Sequence, residues 1–488
     1  MLLGLYVTVF LFQIAESVRD GAMELILVQG IWRHGDRSPT KTFPTDPFQD
    51  GNWTFGGGGF GQLSPIGMKQ HMNLGKLLRS TYVDSGFLAQ RYSSKEIYIR
   101  STDKNRTIIS AMSNLLGMYS TNNAANIPGV DYPDEPGWPT GYVPVAIHTV
   151  DDDTDYIGNP DAVCPRQDKL WAMAKSSPEL QAFQNRTDVV AMLNQLSKNC
   201  GEKVDIDNLW VVQDALMIEQ LHANSTLRQV NKWFTDDLYN QMTVINDQVE
   251  LYQNGIFNSS WSKRTTENTD FANSRPVYDT LEQRSSPLIR STWRNEKMNL
   301  SADSTLMMNG LNIGLELQKL RGGSMINDIN MHMNLKIACM SAKADDPKCK
   351  WVNGNKYYIY SAHDTTIYAF FSILGIAEKV VKPRGYPLYS AATFVELWLN
   401  HTDNKPYFKL NYHANDVNVT IYPITTQLAD CNGKTYCSLD AFAKFASMAK
   451  PDQPMDQWCN VDPTLNAGST WTVFITAIIA ISYALLRN

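Results

Sequence analysis

No Cys-x-x-Cys pair occurs among the seven cysteines, and the eight histidines are scattered through the 488 residues. The ligand spacing of a structural zinc site is therefore missing. No run of lysines and arginines occurs either, and the net charge is −6. A protein that neutralises a phosphate backbone needs such a run, so nucleic acid is excluded as a partner. Internal repeats and low-complexity tracts are absent as well, which removes solenoids and disordered tails. With hydrophobic residues at 43% and charged residues at 19%, ordinary globular composition remains. At this length two lobes, or one large domain with an insertion, are expected.

Lys and Arg are also missing from the first 17 residues, whose apolar run over 2–12 is followed by Ala15 and Ser17. Small residues two apart after such a run read as a signal peptide over 1–17. A second apolar stretch, 471–486, is followed by only Arg487-Asn488. It falls short of the about 20 residues that comfortably span a bilayer. After Asn466-Ala467-Gly468-Ser469 it reads as a lipid-anchor signal that is cut away, with a short transmembrane anchor as the rival. Membrane attachment along the secretory pathway is expected, with an extracellular, cell-surface or lysosomal destination. Glycosylation triplets beginning at Asn52, Asn105, Asn185, Asn224, Asn258, Asn299, Asn400 and Asn418 agree with that route. Disulfides fit the same compartment. Cys431 with Cys437, and Cys339 with Cys349, are close enough in sequence to close small loops.

Strand patterns occur over 25–32, 97–99, 357–360 and 394–399, and helix patterns over 67–78 and 107–116. A Pro- and Gly-rich stretch over 133–144 reads as a boundary. From about 165 to 320 the apolar residues keep helical spacing, as in Val189-x-x-Met192-Leu193-x-x-Leu196,. The simplest architecture is an α/β domain built from 18–145 and 321–460, with a mainly helical insertion over 146–320.

Three segments share one grammar, an apolar strand that turns abruptly polar at its carboxyl end, which is where open α/β sheets bind ligands. The first is Arg33-His34-Gly35-Asp36-Arg37-Ser38-Pro39, after Leu25-Ile26-Leu27-Val28. The second is Ile99-Arg100-Ser101-Thr102-Asp103-Lys104-Asn105-Arg106-Thr107, and the third Tyr360-Ser361-Ala362-His363-Asp364-Thr365-Thr366. An acidic chain that binds an anion must concentrate its positive charge locally. Arg33 and Arg37 do so around His34: guanidinium donors match phosphate oxygens in pairs, and a neutral imidazole can accept a phosphoryl group and release it. In the second segment Arg100 or Arg106 faces the pocket while the other pairs with a carboxylate such as Asp103. Asp36 and His71 read as structural support. Trp32, Trp53 and Phe55 either line an entrance or fill the core.

The first motif together with His363-Asp364 resembles the histidine acid phosphatase family. Gly61-Gln62-Leu63-Ser64-Pro65-Ile66-Gly67-Met68-Lys69-Gln70-His71 and Gly322-Gly323-Ser324 match further blocks of its animal members. The resemblance covers roughly 24–460 and implies a mixed sheet flanked by helices, a phosphoglycerate-mutase-like core, with a smaller helical insertion. It implies that His34 is the nucleophile, that Arg33, Arg37, Arg106 and His363 hold the phosphoryl oxygens, and that Asp364 is the proton donor. It favours Arg106 over Arg100. An Asp ordinarily ionises near pH ~4, so a donor role fits an acidic medium. Three guanidiniums can complement the charge of phosphoryl transfer without a metal, and no cofactor is implied. By the same resemblance Cys164 bridges to Cys459, leaving Cys200 unpaired, and a bridge that relatives carry near Ile218 and Ala391 is missing. Dimers are common among similar enzymes, so a homodimer is allowed. The expected partner is a small phosphate monoester. Narrower preference for inositol phosphates or lysophospholipids, a phosphoglycerate-mutase-like transferase, and a non-catalytic surface glycoprotein are the rivals.

Overall fold

Eleven consecutive residues, Met23–Arg33, form strand β1, and all but Glu24 are buried. A strand covered on both faces shows a continuous apolar run rather than alternation. The computed structural model describes residues 18–464 apart from 121–122, 258–305, 343–345, 348, 383–384 and 418. The expected signal peptide, the apolar stretch at 471–486 and the triplets at Asn258, Asn299 and Asn418 lie outside the described residues. Among the described residues no helix is long and apolar enough to cross a membrane.

β1 runs beside β4 (Tyr357–Ala362) in parallel and β5 (Ala392–Asn400) in antiparallel fashion. β2 (Ile97–Thr102) lies parallel to β4, β3 (His148–Val150) lies parallel to β2, and β6 (Lys405–His413) pairs antiparallel with β5. The main order is therefore β6-β5-β1-β4-β2-β3, a mixed sheet. Strands over 25–32, 97–99, 357–360 and 394–399 were expected and are present; β3 and β6 are additions, and β3 continues the sheet into residues 148–150. The carboxyl ends of β1, β4 and β2 stand side by side, and each of the three polar motifs follows one of them.

Helices cover both faces. Val28 and Trp32 of β1 pack with Leu74 and Leu78 of α1 (Pro65–Leu78) and Leu115 of α2 (Asn105–Leu115). Leu27 and Ile31 pack with the opposite layer, drawn from α8 (Ser324–Met340) and α9 (Asp364–Ile373). Ser64 caps α1, its Oγ accepting from the Gly67 amide at 3.0 Å, and Pro65 opens the helix,. Glycine is required where α1 meets the loop after β1. A Cβ on Gly35 would stand 2.4 Å from the Gly67 carbonyl oxygen, and one on Gly67 would stand 2.2 Å from that of Asp36.

Helices α3 (Pro165–Lys175), α4 (Pro178–Gln184), α5 (Thr187–Cys200), α6 (Leu209–Val230) and α7 (Asp236–Gln253) follow β3. They share an apolar cluster containing Leu170, Leu196, Leu216 and Met242, which Phe43 and Trp458 join from elsewhere in the chain. Disulfides link Cys164 to Cys459, Cys339 to Cys349 and Cys431 to Cys437, while Cys200 is buried and unbonded. Ile218 and Ala391 are both fully buried.

The contact between α6 and the loop around residues 42–48 contains a buried acid. Glu219 is inaccessible to solvent, and burial, then the neighbouring Asp46, pushes its carboxyl up to about 10,. The folded chain thus holds a proton there that the unfolded chain releases at an ordinary carboxylate pKa near 4.5. The folded state binds the extra proton between those values, so Glu219's contribution to stability is largest below about 4.5 and is lost as pH rises toward 10,. Glu219→Gln is expected to flatten that decline. Thermal denaturation of both proteins at about pH 4.5 and about pH 8 checks it, and an unchanged slope in the variant rejects the assignment.

Candidate active site

His34 is 2% exposed and lies immediately beyond β1. Its amide donates to the Ala362 carbonyl at 3.1 Å, and its own carbonyl accepts from the Ser390 amide at 3.2 Å. The peptide is thereby held between the end of β4 and the loop preceding β5. Its ring Nδ1 lies 2.8 Å from the Gly35 carbonyl oxygen. A carbonyl can only accept, so Nδ1 carries the hydrogen and Nε2 carries the lone pair of the neutral ring. The imidazole pKa is held well below its ordinary 6.5, first by burial and then by the charges of Arg106, Arg37 and Arg33, with His363 adding to them.

Arg33 donates from Nη1 to the Pro387 carbonyl at 2.6 Å and from Nη2 to Asp364 Oδ2 at 2.9 Å. Its guanidinium carbon lies 4.3 Å from the centre of the Tyr389 ring. Arg37 grips Asp214 of α6 with two bonds, 2.9 and 3.1 Å. Desolvation opposes the Arg37 charge, yet Asp214 reverses that and raises its pKa. Arg106 sits in the first turn of α2, which starts two residues before the expected 107. Desolvation and then Arg37 lower the Arg106 pKa to about 10. Nε of all three arginines is buried without an acceptor.

His363 closes β4 and caps α9; its Nε2 is 3.0 Å from Thr102 Oγ1 at the end of β2. The His34 and His363 ring centres are 5.7 Å apart, and burial followed by Arg106 keeps the His363 pKa well below 6.5. Asp364 Oδ1 accepts from the Thr365 amide at 2.8 Å. The buried Glu250 of α7 is held well above the ordinary carboxylate range, by burial first, then by Asp247 and Asp364.

The three strand-end motifs therefore converge. Arg100 does not join them: it pairs with Asp155, not with Asp103. His71 Nε2 donates to the Arg33 carbonyl at 2.9 Å and braces β1 from behind. Asp36 accepts from Ser64 and, at 2.8 Å, from His222 of α6. Trp32 is fully buried in the core and donates to Ser361 Oγ at 2.7 Å. Trp53 and Phe55 stand against the His222 ring at 5.8 and 5.3 Å. Asp214, His222 and Tyr389 had no distinguishing sequence signal. Their partners are far away in sequence or lie in an irregular loop.

Residues 24–413 match the family model described as Histidine phosphatase superfamily (branch 2). The chain belongs to that superfamily. This branch-2 histidine phosphatase is 32% identical over 464 residues to putative acid phosphatase 10 of Caenorhabditis elegans, covering 94% of this chain and 100% of that one. It is 28% identical over 451 residues to human prostatic acid phosphatase, covering 91% and 90%. Its fold is that of a phytase from Hafnia alvei solved with tartrate, with a TM-score of 0.54 at 13% identity over 91% of this chain and 100% of the other. It is a histidine acid phosphatase, a phosphoric monoester hydrolase.

The arginine charges around His34 give a signed pH prediction. Each one penalises the imidazolium, so removing one lets the ring accept a proton more easily. Arg106→Gln is expected to move the acid limb of kcat/KM to higher pH, because that limb reports the free enzyme. A variant whose acid limb stays where the wild type's lies would show that Arg106 does not act on His34.

Proposed function

We propose that this phosphatase works in two steps through His34. Nε2 attacks the phosphorus of a monoester while the bond to the leaving oxygen breaks, and Asp364 passes that oxygen a proton. Water then attacks the phosphohistidine, Asp364 takes its proton, and inorganic phosphate leaves His34 neutral again. Arg33, Arg37, Arg106 and His363 hold the phosphoryl oxygens, where positioning and charge complementarity supply most of the acceleration. One observation carries the reading: a buried neutral imidazole, its lone pair on Nε2, lies among three guanidiniums whose Nε–H groups have no acceptor. Its depressed pKa keeps the nucleophile unprotonated in an acidic medium.

The test is hydrolysis of an aryl phosphate by the full chain at about pH 5 with excess chelator. Turnover that survives the chelator is expected, and none, or turnover lost with the metal, overturns the mechanism. The reading includes export through the secretory pathway, supported by the apolar start and by exposed triplets at Asn52, Asn185 and Asn224. It also includes attachment through 471–486 and allows a homodimer. A mobility shift on enzymatic deglycosylation and recovery in a membrane fraction check the first two.

A further inference from the structure

Part of the donor capacity around His34 is already committed, while the Nε–H groups of Arg33, Arg37 and Arg106 remain open. Arg33 uses Nη1 on Pro387 and Nη2 on Asp364, and Arg37 uses Nη1 and Nη2 on Asp214. A phosphoryl group presents three equatorial oxygens, and any that lacks a donor keeps its developing charge unsolvated in a closed site. Another guanidinium would supply donors but would depress the basicity of His34 further, weakening the nucleophile. A neutral hydroxyl supplies a hydrogen bond without that charge.

One such hydroxyl is present. Tyr389 lies in the loop between Pro387, which anchors Arg33, and Ser390, which anchors the His34 carbonyl. Its ring lies 4.3 Å from the Arg33 guanidinium and 6.0 Å from the His34 ring. Tyr389 is 9% exposed, and its Oη is buried with no hydrogen-bond partner. An unpartnered buried hydroxyl costs about 1–3 kcal/mol of lost solvation, so one retained beside Arg33 and Arg37 calls for an acceptor that arrives from outside. If Tyr389 served only as a platform for Arg33, phenylalanine would perform that task without the orphan hydroxyl.

We propose that the Tyr389 hydroxyl is a further catalytic donor to the phosphoryl group, bonding one of its equatorial oxygens beside the arginines. This rests on the reading of the site given above. Burial raises the phenol pKa and outweighs the opposing charges of Arg37 and Arg33, with the carboxylates of Asp36 and Asp214 adding to the rise, so the hydroxyl remains a donor across the working range. The oxygen it meets is anionic and becomes more crowded with charge as the bond to the leaving group loosens. The bond is therefore present to bound inorganic phosphate and strengthens in the transition state.

Tyr389→Phe keeps the ring over Arg33 and removes only the donor. It is expected to lower kcat/KM for an aryl phosphate about 10- to 100-fold, the range of a hydrogen bond to a charged group. It should also weaken inhibition by inorganic phosphate and shrink the phosphate-dependent rise in Tm, with the phosphate-free Tm unchanged or higher. Wild-type values of kcat/KM and phosphate inhibition in the variant overturn the proposal. A loss of activity matched by a fall in phosphate-free Tm also overturns it, because that assigns Tyr389 to packing. The Tm response to phosphate needs no turnover. If the wild type proves inactive the mechanism fails, and the thermal shift still decides whether Tyr389 touches phosphate.

Discussion

His34→Ala is expected to lower kcat by about 10⁴–10⁶-fold, the scale of losing a covalent nucleophile. No other group named in the site can replace it. His363, the one other imidazole facing the arginines, has its Nε2 on Thr102 Oγ1 at 3.0 Å. The fold should survive, since the residue removed is a neutral ring that makes one side-chain bond, to its neighbour's carbonyl. The arginines remain, so inorganic phosphate should still raise the Tm of the variant. Rapid alkaline quenching with radiolabelled substrate checks the other half: label stays on the wild-type protein and not on His34→Ala. A variant within tenfold of wild-type turnover, or label recovered on another residue, rejects His34 as the attacking group.

Asp364→Asn should cost about 10²–10⁴ in kcat, the usual contribution of a positioned proton donor. The substitution keeps the shape and an oxygen for the Thr365 amide, now at 2.8 Å from Oδ1, but leaves no proton to give. The loss should therefore be graded by leaving group. An alkyl phosphate, whose alkoxide departs poorly, should suffer most, and a nitrophenyl phosphate, whose phenolate departs unaided, should suffer least. Equal losses on both substrates would mean that Asp364 only holds Arg33, which it meets at 2.9 Å.

The two predictions probe residues of different origin in the chain. Arg33, His34, Arg37, His363 and Asp364 were readable as a group because each lies at or just past the end of an apolar strand, a pattern confined to a few neighbouring residues. β1, β2, β4 and β5 were readable for the same reason. β3 escaped because it is three exposed residues long. β6 escaped because half its length is partly exposed and it begins with Lys405-Pro406, a sequence that reads as edge or loop.

Arg100 and Arg106 show where local pattern stops. Arg100 lies within β2 and Arg106 just after it, and both carry the same charge. The choice between them depended on Asp155, reached only when the segment after β3 folds back beside β2. Asp214 sits 177 residues from Arg37 and His222 sits 186 from Asp36, and nothing around either marks it as an active-site neighbour. Tyr389 is one of 22 tyrosines; Tyr119 and Tyr357 also bury a hydroxyl without a partner, and only its place against the Arg33 guanidinium sets Tyr389 apart. Elements and strand-end motifs arise from side chains acting on adjacent backbone, so a linear reading reaches them. Which arginine is neutralised, which carboxyl keeps its proton and which donor stays open depend on distant groups whose solvation is lost when the helices close over the sheet, and only the folded chain sets that.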